Sequence, residues 1–319
     1  MIRIGMDPNI VQFGTFVMSW HGVLSLVAVV VAVWLTARWG RREGIDPEAV
    51  YAVAVWAIIG GIVGARLLHV IDNWQDTYSK NLALVFAVWN GGIAIYGAIL
   101  GGFVTGAGYI WGRQLLGRAY RGETLAWLRG LVGERIARGY LKGRMYALFQ
   151  KFSIGRLADV TAPALLIAQT IGRIGDVING EHFAKTTGLP WGFIYTHETT
   201  KRLYESNGLS SLIPTHPAVV YEMLWNMVVL AVIWKLRGRL APPGMLFSLY
   251  LMLYSLGRFF VQFLRMDIPW FRGLTEAHLV ALVVMAITVP LLAYRAKWVR
   301  QPAATGTPPG PQRRPRAQR

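Results

Sequence analysis

The sequence predicts an all-α, polytopic membrane protein with about seven transmembrane helices and a small outward-facing head. Of its 319 residues, 54% are hydrophobic and only 15% are charged, whereas a soluble domain carries about a quarter charged residues. Apolar runs of about 20 residues, the length that crosses a bilayer core, recur along the chain. The predicted spans are residues 16–37, 49–71, 82–112, 158–178, 217–235, 244–264 and 277–294.

The distribution of basic residues between successive loops predicts the orientation. Segments 36–48, 113–156, 235–243 and 295–319 hold 3, 10, 3 and 7 of the 33 Lys and Arg residues. By the positive-inside rule these segments are cytoplasmic, so the N-terminus faces outward, the C-terminus is cytoplasmic and the number of spans is odd. Anionic headgroups of the cytoplasmic leaflet then account for the net charge of +17, and we expect no nucleic-acid partner.

Residues 1–300 are predicted to form a single membrane domain. The first apolar run is too long for a cleavable signal and lacks a basic n-region, so it is expected to stay as an anchor. The polar segment 179–215 is expected to form the outward head. The basic segment 113–156 is either an in-plane amphipathic helix on the cytoplasmic leaflet or a solvated linker. The low-complexity tail 301–319 is expected to be disordered.

The types of residue present restrict the chemistry. The chain contains no cysteine, so any thiol in its reaction comes from a substrate. Its six histidines are scattered, without the HxxxH or HExxH spacing of metal sites. The sequence also lacks a GxSxG nucleophile elbow and a phosphate-binding glycine loop. We therefore expect no metal site and no cofactor.

Four arginines lie inside the predicted spans or at their ends, where a charged side chain costs about 2.5–3.5 kcal/mol. They are Arg66, Arg173, Arg258 and Arg265. They either snorkel to the interface and pair with acids, as Arg173 would with Asp176 or Glu181, or they hold an anion. The spans contain too few acids to neutralise them, which favours the second interpretation. A guanidinium group suits phosphate well, and phospholipid headgroups are the phosphates at hand.

Helical spacing groups further polar residues with these arginines. Tyr254, Arg258, Gln262 and Arg265 share one face of the sixth span, and Gln169, Arg173 and Asp176 share one face of the fourth. Both faces approach the outer half of the membrane in the predicted topology. In the third span, Gly97 and Gly101 form a small-xxx-small pattern that predicts close helix packing around Tyr96.

Five motifs, taken in order, resemble those of the prolipoprotein diacylglyceryl transferase family. They are SWHGVL at 19–24, WNGGIAIYGAILGG at 89–102, GRIGDVINGEHFAKTTGLPWG at 172–192, HPAVVYE at 216–222 and YSLGRFFVQFLRMD at 254–267. The resemblance extends from about residue 13 to 295. It implies a bundle of seven transmembrane helices with a small outward head, located in the bacterial cytoplasmic membrane.

The resemblance also implies an activity: the diacylglyceryl group of phosphatidylglycerol is transferred to a lipobox cysteine thiol of a preprolipoprotein, and glycerol-1-phosphate leaves. The expected partners are phosphatidylglycerol, signal peptides with a lipobox cysteine and the surrounding membrane lipids. By resemblance, Arg173 and Arg258 are the essential arginines, which hold the phosphate as charge develops on the leaving group. Residues expected to bind substrate or shape the site are Arg66, Asp176, Asn179, Glu181, Tyr221, Glu222, Tyr254, Gln262 and Arg265.

The chain departs from the family pattern at several of these positions. His21 stands where the first-span motif has tyrosine, and Tyr96 stands where the third-span motif often has histidine. Asp176 replaces an asparagine, Gln262 replaces a glutamate, and a glycine of the signature is replaced around Ala184. One hypothesis is that His21 and Tyr96 exchange roles, because an imidazole is a good general base toward a thiol and a neutral phenol is a poor one.

The departures leave two alternatives to an active transferase. Asp176 places a negative charge near Arg173, which is expected to weaken phosphate binding unless the loss of a carboxylate at Gln262 rebalances the site. The chain would then be a diverged, inactive relative. The other alternative is a phospholipid-binding transporter without chemistry. A transporter is expected to need polar access from both sides, whereas the polar residues here cluster toward one leaflet.

Overall fold

The computed structural model describes residues 1–14, 16–87, 92, 94–121 and 153–299, and these residues are mostly helical. The α-helices of this part are α1 (Trp20–Arg42), α2 (Pro47–Asp72), α3 (Ile95–Arg121), α4 (Ile154–Asn179), α5 (Glu198–Ser206), α6 (Ala218–Leu236), α7 (Met245–Gln262) and α8 (Glu276–Arg295). A short π-helix (Trp74–Tyr78) and a 3-10 helix (Leu82–Phe86) lie between α2 and α3.

Short strands also occur, which the all-α prediction omitted. In the described residues they pair as β1 (Ile2–Ile4) with β4 (Phe193–Tyr195), β2 (Asn9–Phe13) with β3 (Phe16–Ser19), β5 (Leu240–Ala241) with β8 (Lys297–Trp298), and β6 (Pro269–Phe271) with β7 (Leu274–Thr275). The β1–β4 pair is parallel and the other three are antiparallel. Each strand has at most five residues, too few for an alternating hydrophobic pattern to be recognised.

Within the described residues, five helices are long and apolar enough to cross a membrane: α1, α2, α6, α7 and α8. Many of their large apolar side chains are exposed, among them Val30, Ile62, Leu224, Phe260 and Ile287, as expected when lipid is the solvent. The protein is therefore a polytopic membrane protein. Helices α3 and α4 overlap with the two remaining predicted spans, but glycines in α3 and charged residues in α4 lower their hydropathy. The count of seven spans and the orientation stay predictions.

The third predicted span, 82–112, has different bounds in the structure. Its first residues form the 3-10 helix, and α3 begins only at Ile95. Between them Gly92 has a positive φ of 77° and lies so close to the ring of His69 that a side chain would collide with it. This left-handed conformation is one that glycine adopts readily. At its other end α3 continues to Arg121, into the segment predicted to be a loop.

Helices α2 and α3 pack through glycines on both sides. A Cβ atom at Gly64 would collide with the carbonyl oxygen of Gly97, and one at Gly60 would collide with that of Gly101. The predicted small-xxx-small pattern of α3 is thus confirmed, and it faces the same pattern in α2. The resulting backbone contact fixes the position of α3, which carries Tyr96.

Helices α4, α6 and α7 share a buried core. Its side chains are Ala162, Leu166, Val229, Ile233, Leu246 and Tyr250. At one end of this core, the carboxylate of Asp159 in α4 accepts hydrogen bonds from the backbone N–H groups of Gly244 (2.7 Å) and Phe247 (2.8 Å). Asp159 therefore caps the first turn of α7, which gives this acid in a predicted span a structural role.

The segment 179–215 folds together with the N-terminus, through the β1–β4 pair and contacts among aromatic rings. The ring of Tyr204 in α5 packs against those of Phe183 and Tyr195. This head adjoins the first residues of α1 and α6 and the last residues of α4 and α7. We call the end of the bundle that these residues form the head end. Its location outside the membrane stays a prediction. Segments 122–152 and 301–319 lie outside the described residues, so the basic loop or in-plane helix and the disordered tail stay predictions.

Candidate active site

A cluster of charged side chains lies at the head end, where α4, α6 and α7 meet. Arg173 of α4 contacts the Glu222 carboxylate of α6 (2.5 Å between Nη2 and Oε2). The other oxygen of Glu222 accepts a hydrogen bond from Arg258 of α7. Glu222 is 4% exposed, and its carboxylate holds the two guanidinium groups side by side.

The expectation that acids are too few to neutralise these arginines is wrong for the pair. Arg173 contacts both Glu222 and Asp176 (2.7 Å between Nη1 and Oδ2), and Arg258 contacts Glu222. The reason is geometric: acids near the ends of separate spans converge at one level of the bundle. Arg258 nevertheless uses only Nη1, and its Nε and Nη2 have no hydrogen-bond partner among the described residues.

Asp176 connects α4 to the first turn of α1. Its Oδ1 lies 2.6 Å from Nδ1 of His21, and its Oδ2 accepts from Arg173 and lies 3.1 Å from Nε2 of His182. Asp176 is 4% exposed, whereas the side chain of His21 is 41% exposed. A glycine makes this approach possible: a Cβ at Gly175 would lie 2.7 Å from Cα of His21.

The cluster continues from His182 toward the end of α7. Nδ1 of His182 lies 3.0 Å from Nη2 of Arg265, whose Nε contacts Asp267 at 3.0 Å. Gln262 donates a second hydrogen bond to Asp267, at 2.6 Å. Burial acts to raise the pKa of the Asp267 carboxyl, but the hydrogen bonds from Arg265 and Gln262 outweigh it and hold this pKa below its usual range. Gln262 therefore helps to fix Asp267 and Arg265.

A narrow crevice adjoins Arg258 between α6 and α7. Its lining residues are Glu222, Trp225, Asn226, Tyr254, Gly257 and Arg258. Gly257 has no side chain, and the ring of Trp225 occupies the space that a Cβ would fill, while Trp225 Nε1 donates to the carbonyl of Leu253 at 2.8 Å. The crevice thus combines an aromatic wall, the phenol of Tyr254 and the available donors of Arg258.

Three further predicted site residues lie near this cluster. Tyr96 of α3 is half-buried and close enough to Arg258 and Tyr254 to interact with them electrostatically. Glu181 is exposed, with a carboxylate oxygen within 4.8 Å of donor atoms of His21 and Asp176. Asn179, the last residue of α4, is half-buried, and its side chain makes no hydrogen bond with other described residues.

Two predicted site residues make contacts elsewhere. Arg66 donates to backbone carbonyl groups of the segment before α3, at Val85 (2.9 Å) and Gly92 (3.0 Å) among others. These contacts connect α2 to described residues on both sides of positions 88–91. The hydroxyl of Tyr221 accepts from Trp191 Nε1 at 2.9 Å and lies 3.4 Å from Nδ1 of His216, so it joins the first turn of α6 to the head.

His21, Asp176 and Glu181 are the described residues whose donor atoms come together as metal ligands would. The environment disfavours a cation, because Oδ2 of Asp176 already accepts from Arg173, a fixed positive charge. A metal ion there would meet that charge at close range. The prediction of no metal site and no cofactor is left as a prediction.

Sequence reasoning missed His182, Asp267 and Trp225 as members of the site. His182 lies within the polar stretch that ends the fourth span, and Asp267 closes the YSLGRFFVQFLRMD motif. A usable signal was therefore their presence in the polar stretch that contains Arg173 and in the motif that contains Arg265. Trp225 offered no such signal, because only the packing of α6 on α7 places its ring at Gly257.

Comparison with known proteins places the chain in a family. The family model described as prolipoprotein diacylglyceryl transferase matches residues 8–121 and 125–294. A protein of Thermosynechococcus vestitus named phosphatidylglycerol–prolipoprotein diacylglyceryl transferase is 34% identical over 90% of this chain and 92% of its own length. Proteins of the same name from Synechococcus elongatus (33% identity, 88% and 85%) and Listeria innocua (30% identity, 91% and 90%) are also similar. The chain belongs to the prolipoprotein diacylglyceryl transferase family.

Proposed function

We propose that this protein transfers the diacylglyceryl group of phosphatidylglycerol to the lipobox cysteine of preprolipoproteins, in the cytoplasmic membrane of a bacterium. A thioether forms and glycerol-1-phosphate leaves. The names of the similar proteins state phosphatidylglycerol and prolipoprotein as substrates. The observation that carries the proposal is the pair Arg173 and Arg258, which Glu222 holds side by side at the head end of the bundle.

This arginine pair suits the charge that develops in the reaction. The phosphodiester of the lipid has one negative charge, and the phosphate gains a second as its bond to the diacylglyceryl carbon breaks. Donors fixed before the reaction stabilise such charge without reorganising. Arg258 offers Nε and Nη2 to the phosphate, while Glu222 and Asp176 keep Arg173 in place beside it.

Two side chains that line the crevice beside Arg258 are our candidates for contacts with the lipid headgroup. The phenol of Tyr254 and the amide of Asn226 line it, and both can hydrogen-bond the hydroxyl groups of a glycerol headgroup. Tyr96 of α3 lies close to Arg258, and we assign it to contacts with the same lipid. The exposed carboxylate of Glu181 and the side chain of Asn179 are assigned to contacts with the lipobox peptide.

The remaining partners follow from composition and location. The basic segments are assigned to anionic lipid headgroups of the cytoplasmic leaflet, because a polybasic surface next to membrane spans gains about 1 kcal/mol per Lys or Arg there. Nucleic acid is not among the proposed partners. The lipobox cysteine supplies the thiol that this cysteine-free chain lacks.

The test is transfer by purified protein. The protein is incubated with phosphatidylglycerol and a lipobox peptide, and the peptide is weighed by mass spectrometry. We expect a diacylglyceryl mass increase on the cysteine, and at least a 100-fold lower rate in Arg258→Ala. Arg202→Ala, whose side chain is 77% exposed on the head, is the matched control and should keep the wild-type rate. Lipid binding without transfer would identify the non-catalytic alternative and refute the proposal.

A further inference from the structure

The first turn of α1 presents an imidazole beside the arginine pair. Ser19 caps this helix by accepting from the N–H of Gly22 at 3.1 Å, which fixes the backbone around His21. The His21 side chain is 41% exposed, so a substrate can reach it. One edge of its ring, at Nδ1, faces the buried carboxylate of Asp176 at 2.6 Å.

The protonation of His21 follows from its partner. An ionised carboxylate can only accept hydrogen bonds. Oδ2 of Asp176 accepts from Arg173, and Oδ1 is the oxygen that lies beside Nδ1 of His21. Nδ1 of His21 therefore carries the ring proton, and Nε2 keeps a lone pair. An imidazole in this tautomer can accept a proton at the atom that is not turned toward Asp176.

A second histidine holds the carboxylate in this role. Arg265 can only donate, so Nδ1 of His182 accepts from it at 3.0 Å, and the proton of His182 lies on Nε2. Nε2 lies 3.1 Å from Oδ2 of Asp176 and 3.4 Å from Nη1 of Arg173, and since Nε2 carries the ring proton, the carboxylate is the neighbour to which it can donate. A continuous series of close contacts thus runs from Arg265 through His182 and Asp176 to His21.

We infer that His21 is the general base that deprotonates the lipobox thiol, and that Asp176 and His182 position it. This inference rests on the proposed function. Nε2 of His21 takes the proton from the cysteine S–H, and the sulfur attacks the diacylglyceryl carbon bound to the phosphate oxygen. The S–C bond forms, the C–O bond breaks, and its electron pair goes to the phosphate. The proton then passes from His21 to water or to the departing phosphate.

This assignment reverses the expected effect of Asp176. If its charge mainly weakened phosphate binding, Asp176→Asn would speed the reaction or tighten lipid binding. In the positioning role, the amide oxygen of the substituted side chain must face Arg173, which can only donate, and Nε2 of His182, which carries that ring's proton. The NH₂ group of the amide then faces Nδ1 of His21 and forces the ring proton onto Nε2, where it blocks the base.

The experiment compares His21→Ala, Asp176→Asn and the double variant, each with phosphatidylglycerol and a lipobox peptide. We expect each single change to lower kcat at least 100-fold, with the KM for the lipid little changed, and the double variant to be no slower than His21→Ala. Added imidazole should restore part of the rate of His21→Ala and none of that of Asp176→Asn. Asp159→Asn, the same substitution at the other end of α4, should lower thermal stability and keep kcat.

Several results would overturn the inference. They are a normal rate in His21→Ala, a faster rate in Asp176→Asn, losses that multiply in the double variant, or no rescue by imidazole. Thermal unfolding and phosphatidylglycerol binding by each variant separate a lost base from a lost fold. If the wild-type protein transfers nothing, the proposed function itself fails, and that result differs from every one of these.

Discussion

At the scale of single residues, Glu222 determines how the two arginines coexist. Its two oxygens contact Arg173 and Arg258, and without it two positive charges would face each other in a partly buried site. Breaking a buried ion pair by removing one partner costs about 3–5 kcal/mol. Since both arginine side chains are 19% exposed, we expect a loss near the lower end of that range.

Glu222→Gln should therefore lower the thermal midpoint, and phosphatidylglycerol should restore part of it, because the lipid phosphate supplies the missing negative charge. The measurement is the unfolding temperature with and without the lipid, in a detergent free of phosphate. Glu43→Gln is the matched control, since Glu43 pairs with Arg237 (2.9 Å) at the opposite end of the bundle. Lipid should shift wild type and Glu43→Gln alike, and equal shifts in Glu222→Gln would contradict the prediction.

Asp267 gives the stability of the site a pH dependence. Its pKa in the folded protein lies below the ordinary value of 3.8, so its carboxylate contributes stability above that value. The contribution is lost as the pH falls through the lower, folded pKa. The thermal midpoint of wild type should exceed that of Asp267→Asn at neutral pH and approach it below about pH 4. Glu205→Gln, on the exposed side of α5, should show no such convergence. A constant gap down to pH 3 would show that Asp267 acts otherwise.

At the scale of elements, the contact of α2 with α3 depends on the absence of side chains. Gly64→Ala would drive a methyl group into the carbonyl of Gly97, and such overpacking costs about 1–3 kcal/mol. We expect a lower thermal midpoint and reduced transfer, because α3 carries Tyr96 toward Arg258. Gly108→Ala in α3, where a Cβ meets nothing within 4 Å, is the control and should be neutral or slightly stabilising. Equal effects of the two substitutions would argue against close packing at Gly64.

The helices were the most predictable elements, because lipid as solvent requires long apolar runs. The bounds predicted for 217–235 and 277–294 agree within one residue with Ala218–Leu236 and Glu276–Arg295. The start of the third span was wrong because the apolar residues 82–86 form a separate 3-10 helix before a left-handed glycine, Gly92. The pairing of β1 with β4 joins segments about 190 residues apart, and no local pattern specifies such a partner.

At the scale of the whole molecule, the sequence predicted which residues belong to the site. It did not predict which of them contact one another across helices. Helical spacing placed Arg173 with Asp176 on one face of α4, and the structure confirms that contact. The bridge from Arg173 through Glu222 to Arg258 depends on the relative depth of three helices. Helix depth and rotation are set by packing partners distant in sequence. Arg66 donates to backbone carbonyl groups, those of Val85 and Gly92 among others, and its part in lipid binding stays a prediction.

The predicted topology of seven spans follows from the Lys and Arg residues in alternate loops, which require an odd number of spans. Because the sequence has no cysteine, single cysteines can be introduced to test it directly. Single cysteines replace Lys80, Lys142, Arg202 or Arg239, and intact cells are treated with a membrane-impermeant maleimide. By the positive-inside rule, positions 80 and 202 should be labelled, and positions 142 and 239 only after the membrane is permeabilised. The unaltered protein is the control, because it has no thiol to react. Labelling of position 142 in intact cells would mean that α3 and α4 do not cross the membrane, and the bundle would then have five spans.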